Sequence, residues 1–343
     1  MSDTNKDAKA AQSPAPAETA GGLEQLMADK KAKIAELRAR GVEPFPSRTV
    51  RQHDCASVAR IAATLTEPAA HSAETVSIAG RLVELRDMGK SIFGRLADLS
   101  GKAQVYFKKD ALPEQVFALV KKDVHVGDFL SVSGPVFRTK TGEATVAVQS
   151  ATLLAKAIRP LPEKWAGLTD VELKYRQRHL DLIVSPESRD VFIKRAKIIS
   201  TIRRVLDARG YVEVETPVLL EQAGGASARP FHTRHNALGQ DMVLRIATEL
   251  YLKKLVIGGL DRVYEIGRVF RNEGIDTSHN PEFTMLEAYE AYSDYDGMAA
   301  LFETLLSECA DACGVSEVEW RGVKLSLKPP FRRLYLPEVW KDR

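Results

Sequence analysis

Residues 262–289 constrain this chain more than any other stretch. Residues 262–273 (RVYEIGRVFRNE) alternate with period two, a loop bearing glycine and proline occupies 274–281, and residues 282–289 (EFTMLEAY) alternate again. Alternation of this kind places every second side chain on one face of a strand. Glu265, Val269, Arg271 and Glu273 therefore share a face of the first run, and Phe283, Met285, Glu287 and Tyr289 share a face of the second. If the two runs pair as a hairpin, one sheet surface collects an arginine, several carboxylates, an aromatic ring and a phenol. A buried core is not built this way, because charge is costly to bury unless it is paired. Two readings stay open: a solvated, salt-bridged sheet face, or a ligand pocket, which the apolar neighbours Val269, Phe283 and Met285 favour.

The chain has 343 residues, enough for two domains of roughly 100–200 residues each. Residues 1–22 are rich in Ala, Ser, Pro, Asp and Lys and hold too little apolar surface to order themselves, so a disordered tail is expected. A helical stripe follows through Leu23, Leu26, Met27, Lys30, Ile34 and Leu37, stopped by Gly41 with Pro44 and Pro46 beyond. Lys30, Lys31, Lys33, Arg38 and Arg40 make that helix basic, which suits either a solvated face or a contact with RNA. Residues 23–71 form this helical segment. Across 72–158 the period changes to two, with turn signals at Met88-Gly89-Lys90, Ser100-Gly101-Lys102 and Lys140-Thr141-Gly142, and a short helix over 113–121. Five short strands with a helix between the third and fourth is the order of an OB-fold barrel, whose sheet face commonly binds single-stranded nucleic acid. A linker is expected over 159–172, around Arg159-Pro160-Leu161-Pro162, and a second domain over 173–343. That domain opens with an amphipathic helix striped by Phe192, Ala196, Ile199, Ile202 and Leu206, then a strand over 211–217.

Bulk composition excludes rather than selects. A hydrophobic share of 44% with 28% charged residues describes an ordinary globular chain. A net charge of +3 neither demands nor forbids nucleic acid, since a local basic surface suffices for phosphate contacts. Cys55, Cys309 and Cys313 lack the spacing of a zinc site or a disulfide framework and are expected to be buried structural thiols. No apolar run nears the roughly 18–20 residues of a membrane span, and residues 1–22 lack the apolar core of a secretory signal. A reducing cytoplasm is the expected location.

RVFRNEG (residues 268–274), followed by HNPEFTMLE (279–287), resembles motif 2 of the class II aminoacyl-tRNA synthetases, and GYVEVETPVL (210–219) resembles motif 1. GGASARPF (224–231) and IATELYLKKLVIGGLDRVYEIGR (246–268) are similar to the bacterial-type lysyl-tRNA synthetases in particular. The likeness runs from about Leu23 to the end. It implies an α+β chain: an N-terminal OB-fold β-barrel that reads an anticodon, and a class II catalytic domain built on a mainly antiparallel sheet.

In that family the lysine carboxylate attacks the α-phosphate of ATP, giving lysyl-adenylate and pyrophosphate, and a terminal ribose hydroxyl of tRNA(Lys) then takes the lysyl group. Positioning and charge neutralisation dominate such chemistry. No enzyme nucleophile is needed, and the sequence offers no Ser/His/Asp or Cys/His constellation. By resemblance Arg271 is the catalytic residue, holding both the substrate carboxylate and the α-phosphate, a bidentate task that suits guanidinium. Glu273 would contact the adenine amino group, Phe283 would stack on adenine, and His279, otherwise an ordinary loop residue, would contact the outer phosphates. Lysine carries two ammonium groups, so its pocket needs acceptors at both ends. Glu249 and Tyr289 match residues that bind them, Glu287 adds a carboxylate, and Gly225 would let the backbone approach the ligand closely. Glu249 also suits the first turn of a helix. In the barrel, Phe93, Gln104 and Glu143 match anticodon-reading positions, although an isolated strand aromatic such as Phe93 is ordinarily core.

The resemblance stops before motif 3. The acidic residues that hold Mg2+ in the family are expected beyond Arg343, so no metal ligand is assigned. The chain is therefore expected to be a fragment with little aminoacylation activity of its own and an uncovered sheet edge that limits solubility. When intact it is expected to be a homodimer away from membranes, with L-lysine, ATP and tRNA as its ligands. A protein that kept tRNA binding and lost catalysis is the alternative, opposed by the retained set Arg271, Glu273, His279, Phe283 and Tyr289.

Overall fold

The computed structural model describes residues 20–67, 70–161, 170–276, 278–335 and 337. Of the tail expected to be disordered over 1–22, residues 20–22 instead belong to a helix. The residues before Ala20, most of the expected linker and nearly all of the last eight residues lie outside the described residues. The chain divides into two compact units, Met1–Gly167 and Leu168–Arg343.

In the first unit, helices α1 (Ala20–Ala39) and α2 (Cys55–Ala63) precede strands β1 (His71–Asp87), β2 (Ser91–Ala97) and β3 (Lys102–Lys108). Helix α3 (Glu114–Lys122) then leads to β4 (Phe129–Arg138), β5 (Ala144–Ala147) and β6 (Ser150–Ala155). The order is β1-β2-β3-β5-β4-β6, and pairing of β1 with β4 closes the barrel. Only β3 and β5 run parallel. The sixth strand was not expected: of its residues only Leu153 is buried, so its period-two signal is weak, and it is held by pairing with β4. Inward positions alternate strictly along β2 and β3, placing Ile92, Leu96, Val105 and Phe107 in a core shared with Val76, Ile78, Leu130, Val136 and Val146. At Gly134 a Cβ would stand 1.9 Å from the Ala147 carbonyl oxygen, so the tight closure of β4 on β5 requires glycine there.

Helix α1 is tied to its unit by charge. Lys33 and Arg40 reach the buried Asp123 carboxylate at 2.9 and 2.5 Å, and Arg38 pairs with Glu43. Lys33 and Arg40 thus clamp the helix to its unit, while the Arg40 side chain stays 49% exposed. Beside them the fully buried Lys156 ammonium donates to Asp128 Oδ2 at 2.6 Å, to the Asp123 carbonyl at 2.6 Å and to His125 Nδ1 at 2.7 Å. Burial and the neighbouring Lys156 charge hold the His125 imidazole below its ordinary value, which favours the neutral ring that can accept that hydrogen bond.

In the second unit, α4 (Val171–Arg176), α5 (Arg178–Val184) and α6 (Pro186–Ala208) lead into β7 (Val212–Glu213), β8 (Leu219–Leu220), β9 (His232–His235) and β10 (Gln240–Leu244). Then come α7 (Glu249–Ile257), β11 (Arg262–Phe270), β12 (Glu282–Glu290), α8 (Tyr295–Ala312), β13 (Glu317–Trp320) and β14 (Val323–Ser326). Three small sheets result, β8-β10-β9, β12-β11-β7 and β13-β14, in which only β7 with β11 is parallel. The strand expected over 211–217 shrinks to two residues. Its continuation is a single bond from the Val214 amide to the Tyr264 carbonyl, because Pro217 cannot donate to a ladder. The stripe on α6 is half covered: Leu206 is buried with Val205, Tyr264, Leu301 and Leu305, whereas Phe192 is 49% exposed. Cys55 is buried, and burial followed by the Asp98 charge pushes its thiol up to about 12. Cys309 and Cys313, expected to be buried, are partly exposed, the first on the last turn of α8 and the second capping its C-terminus. No helix among the described residues is long and apolar enough to cross a membrane.

Replacing Asp128 by alanine leaves the Lys156 ammonium buried without its counter-charge, and a loss of about 3–5 kcal/mol is expected in urea unfolding of the barrel. Asp123 gives a signed pH dependence. Burial alone would raise its carboxyl, but Lys33 and Arg40 hold it below the usual range. Its stabilisation is therefore complete above the unfolded carboxyl's value near ~4 and is lost as pH falls through the lower folded value. Acid unfolding followed by circular dichroism should show a shallower acid limb for Asp123→Asn than for the wild type.

Candidate functional site

The two alternating runs do form an antiparallel hairpin, and its register sorts the side chains. Val263 faces Tyr289, Glu265 faces Glu287, Gly267 faces Met285 and Val269 faces Phe283. One side thus carries Glu265, Glu287, Phe283, Met285 and Tyr289. The other carries Tyr264, Ile266, Leu286 and Ala288 and packs on α6 and α8. Strand β11 ends at Phe270, three residues earlier than the alternation suggested, and the Arg271 amide makes one more bond to the Pro281 carbonyl at 2.8 Å. Glu273 therefore lies in the loop, exposed, rather than on the strand face.

Glu265 is not available to a ligand. Both it and Arg245 are 3% exposed. Arg245 donates to Glu265 Oε1 at 2.5 Å, to the Thr216 carbonyl at 3.0 Å, to Thr216 Oγ1 at 3.1 Å and to the Arg268 carbonyl at 2.8 Å. The Thr216 hydroxyl completes the set by donating to Glu265 Oε2 at 2.6 Å. Gly267 is required beneath it, since a Cβ there would stand 2.2 Å from the Arg245 guanidinium.

The residues after Arg245 form a strap that touches both ends of the hairpin face. The Arg245 carbonyl accepts from the Phe270 amide, and the Ile246 carbonyl lies 3.5 Å from Arg271 Nε. Ala247 and Glu249 flank Gly225, whose φ is +85° and whose Cβ, if present, would stand 3.1 Å from theirs. The close approach that Gly225 permits is therefore to this strap. The Thr248 amide donates to Glu287 Oε1 at 3.2 Å. Glu249 opens helix α7, so its helix-terminal place and its place beside the hairpin coexist.

Two clusters follow. At the loop end, the Arg271 guanidinium lies 5.2 Å from the centre of the Phe283 ring, leaving a cation beside an aromatic face. The Asn272 amide donates to the Arg229 carbonyl, which ties the 224–231 segment to this end. His279 is exposed and pairs with Asp276 at 2.7 Å, whose carboxylate is held low first by the Ser278 amide and then by His279. At the other end, the Tyr289 hydroxyl donates to Glu287 Oε2 at 3.1 Å. Burial, then the charges of Glu287 and Glu249, hold that phenol well above its ordinary value, so it remains a donor. The chain itself supplies an alkylammonium here: Lys253 Nζ sits 2.6 Å from Glu249 Oε1 and 6.0 Å from the centre of the Tyr289 ring.

In the barrel, Phe93, Gln104 and Glu143 line one cavity of about 350 Å3 together with Arg95, Thr139 and Thr141. Phe93 points outward, half-buried, and is not core. Gln104 donates to Thr145 Oγ1 at 2.9 Å, and Glu143 is bonded to Arg95. Sequence reasoning missed Arg245, the Thr248 amide and Lys253. The available signal for Arg245 was a single charge inside the apolar run Val243, Leu244, Ile246, Ala247.

A family model described as tRNA synthetases class II (D, K and N) matches residues 170–342, and one described as an OB-fold nucleic acid binding domain matches 76–154. A lysine–tRNA ligase of Enterococcus faecalis is 49% identical over 323 residues, covering 94% of this chain and 65% of that protein. A lysine–tRNA ligase of Chloroflexus aurantiacus is 48% identical over the same shares of the two chains. One of Anaeromyxobacter sp. strain K is 50% identical over 319 residues, 92% of this chain and 62% of that protein. The chain thus spans somewhat under two thirds of the length of these relatives.

Breaking the buried pair from one side should be costly. Arg245→Met is expected to lose about 3–5 kcal/mol in urea unfolding because Glu265 is left buried and unpaired, while Arg245→Met with Glu265→Leu should lose clearly less than the two single changes added.

Proposed function

From the premise that the chain belongs to the class II tRNA synthetases of the D, K and N group, we propose that it carries the anticodon-reading barrel and the nucleotide- and lysine-binding face of a lysine–tRNA ligase. The observation that supports this best is the strap at 245–249, which holds a guanidinium beside an aromatic ring at one end and a carboxylate–phenol–carboxylate group at the other. ATP would lie with its adenine on Phe283 and its amino group toward Glu273, its α-phosphate on Arg271 and its outer phosphates toward His279. Lysine would place its ammonium groups among Glu249, Glu287 and the Tyr289 hydroxyl, where Lys253 already holds a like group. Its carboxylate would meet Arg271. A cation between carboxylate and phosphate screens their repulsion as the new acyl–phosphate bond forms and pyrophosphate leaves.

Phe93, Gln104 and Glu143 would receive a base of the tRNA(Lys) anticodon, stacking its face and reading its edge. Glu143 must first exchange its bond to Arg95. Magnesium is proposed as the companion of the ATP phosphates. Among the described residues no group of three or more His, Cys, Asp or Glu side chains could hold a metal ion, so no residue is assigned to it and no step passes through it. A homodimer through α6 and β7 would cover Val191 and Phe192, both exposed. A cytoplasmic location accords with this role.

The test is ATP–pyrophosphate exchange with lysine and with aspartate, on this chain and on a version extended through any downstream reading frame. Lysine-dependent exchange is expected from the extended version with little from this chain, and Arg271→Ala in the extended version should lower it about 100-fold or more. Exchange that follows aspartate, or none with lysine from either protein, would overturn the proposal.

A further inference from the structure

The cavity beside Phe93 is one end of a longer aromatic surface. Phe93 stands opposite Tyr106 across β2 and β3, with ring centres 4.7 Å apart at 31°. Tyr106 meets Phe137 of β4 edge-on at 6.1 Å. Phe137 stands opposite His71, the first residue of β1, and the two rings stack at 5.2 Å and 20°. Register places all four on the outer face: Gln104 pairs with Thr145, and Thr145 with Phe137. The exposed Lys102 and Lys108 share that face with Gln104 and Tyr106 on β3.

The barrel core does not need these rings. Its inside is filled from the opposite face by Ile92, Val105, Phe107, Val136 and Val146. Cross-strand aromatic pairs do steady a sheet, but that role does not favour leaving His71, at the end of the row, exposed. A row of rings beside flanking lysines is the composition that holds single-stranded nucleic acid, with rings for base faces and cations for phosphates.

We propose that His71 and Phe137 form a second stacking platform, which takes a further unpaired base of the same RNA strand whose other base enters the cavity beside Phe93. This rests on the anticodon reading of that cavity and extends it. Stacking tolerates any base, so the second position adds affinity and direction to the strand, while base identity is read at Gln104 and Glu143.

The experiment is fluorescence anisotropy of a labelled hairpin RNA with a uridine-rich loop against the 343-residue chain. Thermal unfolding of each variant serves as the fold control. His71→Ala and Phe137→Leu are each expected to weaken binding about tenfold with little change in Tm. His71→Trp should retain the affinity, and its added indole emission should be quenched when RNA is bound, a signal that sheet stabilisation alone does not produce. An abasic substitution at one loop position should remove the effect of His71→Ala and leave the effect of Phe93→Ala intact. Were Phe93→Ala to abolish binding while His71→Ala and Phe137→Leu bind as the wild type does, the second platform would be wrong and the cavity reading would stand. Loss in the His71 and Phe137 variants with none in Phe93→Ala would support the platform and overturn the cavity reading. A wild-type chain that does not bind the hairpin would overturn both. Should Phe137→Leu fail to fold, the exposed His71 decides alone.

Discussion

A guanidinium and a carboxylate, each almost wholly withdrawn from water and 2.5 Å apart, sit beneath the hairpin of the second unit. Such a pair is stable only if the remaining donors and acceptors are also met. Here Thr216 and the Arg268 carbonyl meet them, so three separate stretches of chain are fixed at one point. From that point the backbone runs directly through Ile246, Ala247 and Thr248 to Glu249. The position of Arg271 at one end of the face and of Glu287 at the other is then set by one short rigid segment rather than by two independent loops. Gly225 and Gly267 follow from the same constraint, since each lies where a side chain would strike the strap or the buried pair.

Both units use a two-sided sheet. In the hairpin one side packs on helices through Tyr264, Ile266, Leu286 and Ala288, and the other gathers charge and aromatic surface. In the barrel the inner side is aliphatic and the outer side carries Phe93, Tyr106, Phe137 and His71. Period two is what makes this division possible, because neighbouring residues serve opposite faces without competing. A slip of one residue in either place would exchange core for site.

That division is also why much was legible beforehand. The hairpin, its facing residues and the helix α3 follow from local alternation and from turn residues, and OB-fold order followed from the succession of strands around that helix. Motif resemblance supplied the roles proposed for Arg271, Phe283 and Glu249, which period alone does not distinguish from a salt-bridged surface. What could not be seen were long-range pairings. Glu265 shares a face with Glu287 in sequence, yet its charge belongs to Arg245, twenty residues earlier. Lys33 and Arg40 look like a free basic face until Asp123 is brought beneath them. Strand β6 and the short β7 depend on their partners more than on their own pattern.

Native-state hydrogen exchange tests most directly whether the strap and hairpin are one unit. The informative amides are Phe270, which donates to the Arg245 carbonyl, and Thr248, which donates to Glu287. If the buried pair holds the site together, both should open with the same free energy as the amides of the β11–β12 ladder. Rapid exchange at Thr248 while the ladder stays protected would mean that the two ends of the face are positioned separately, and would contradict this structure's central constraint.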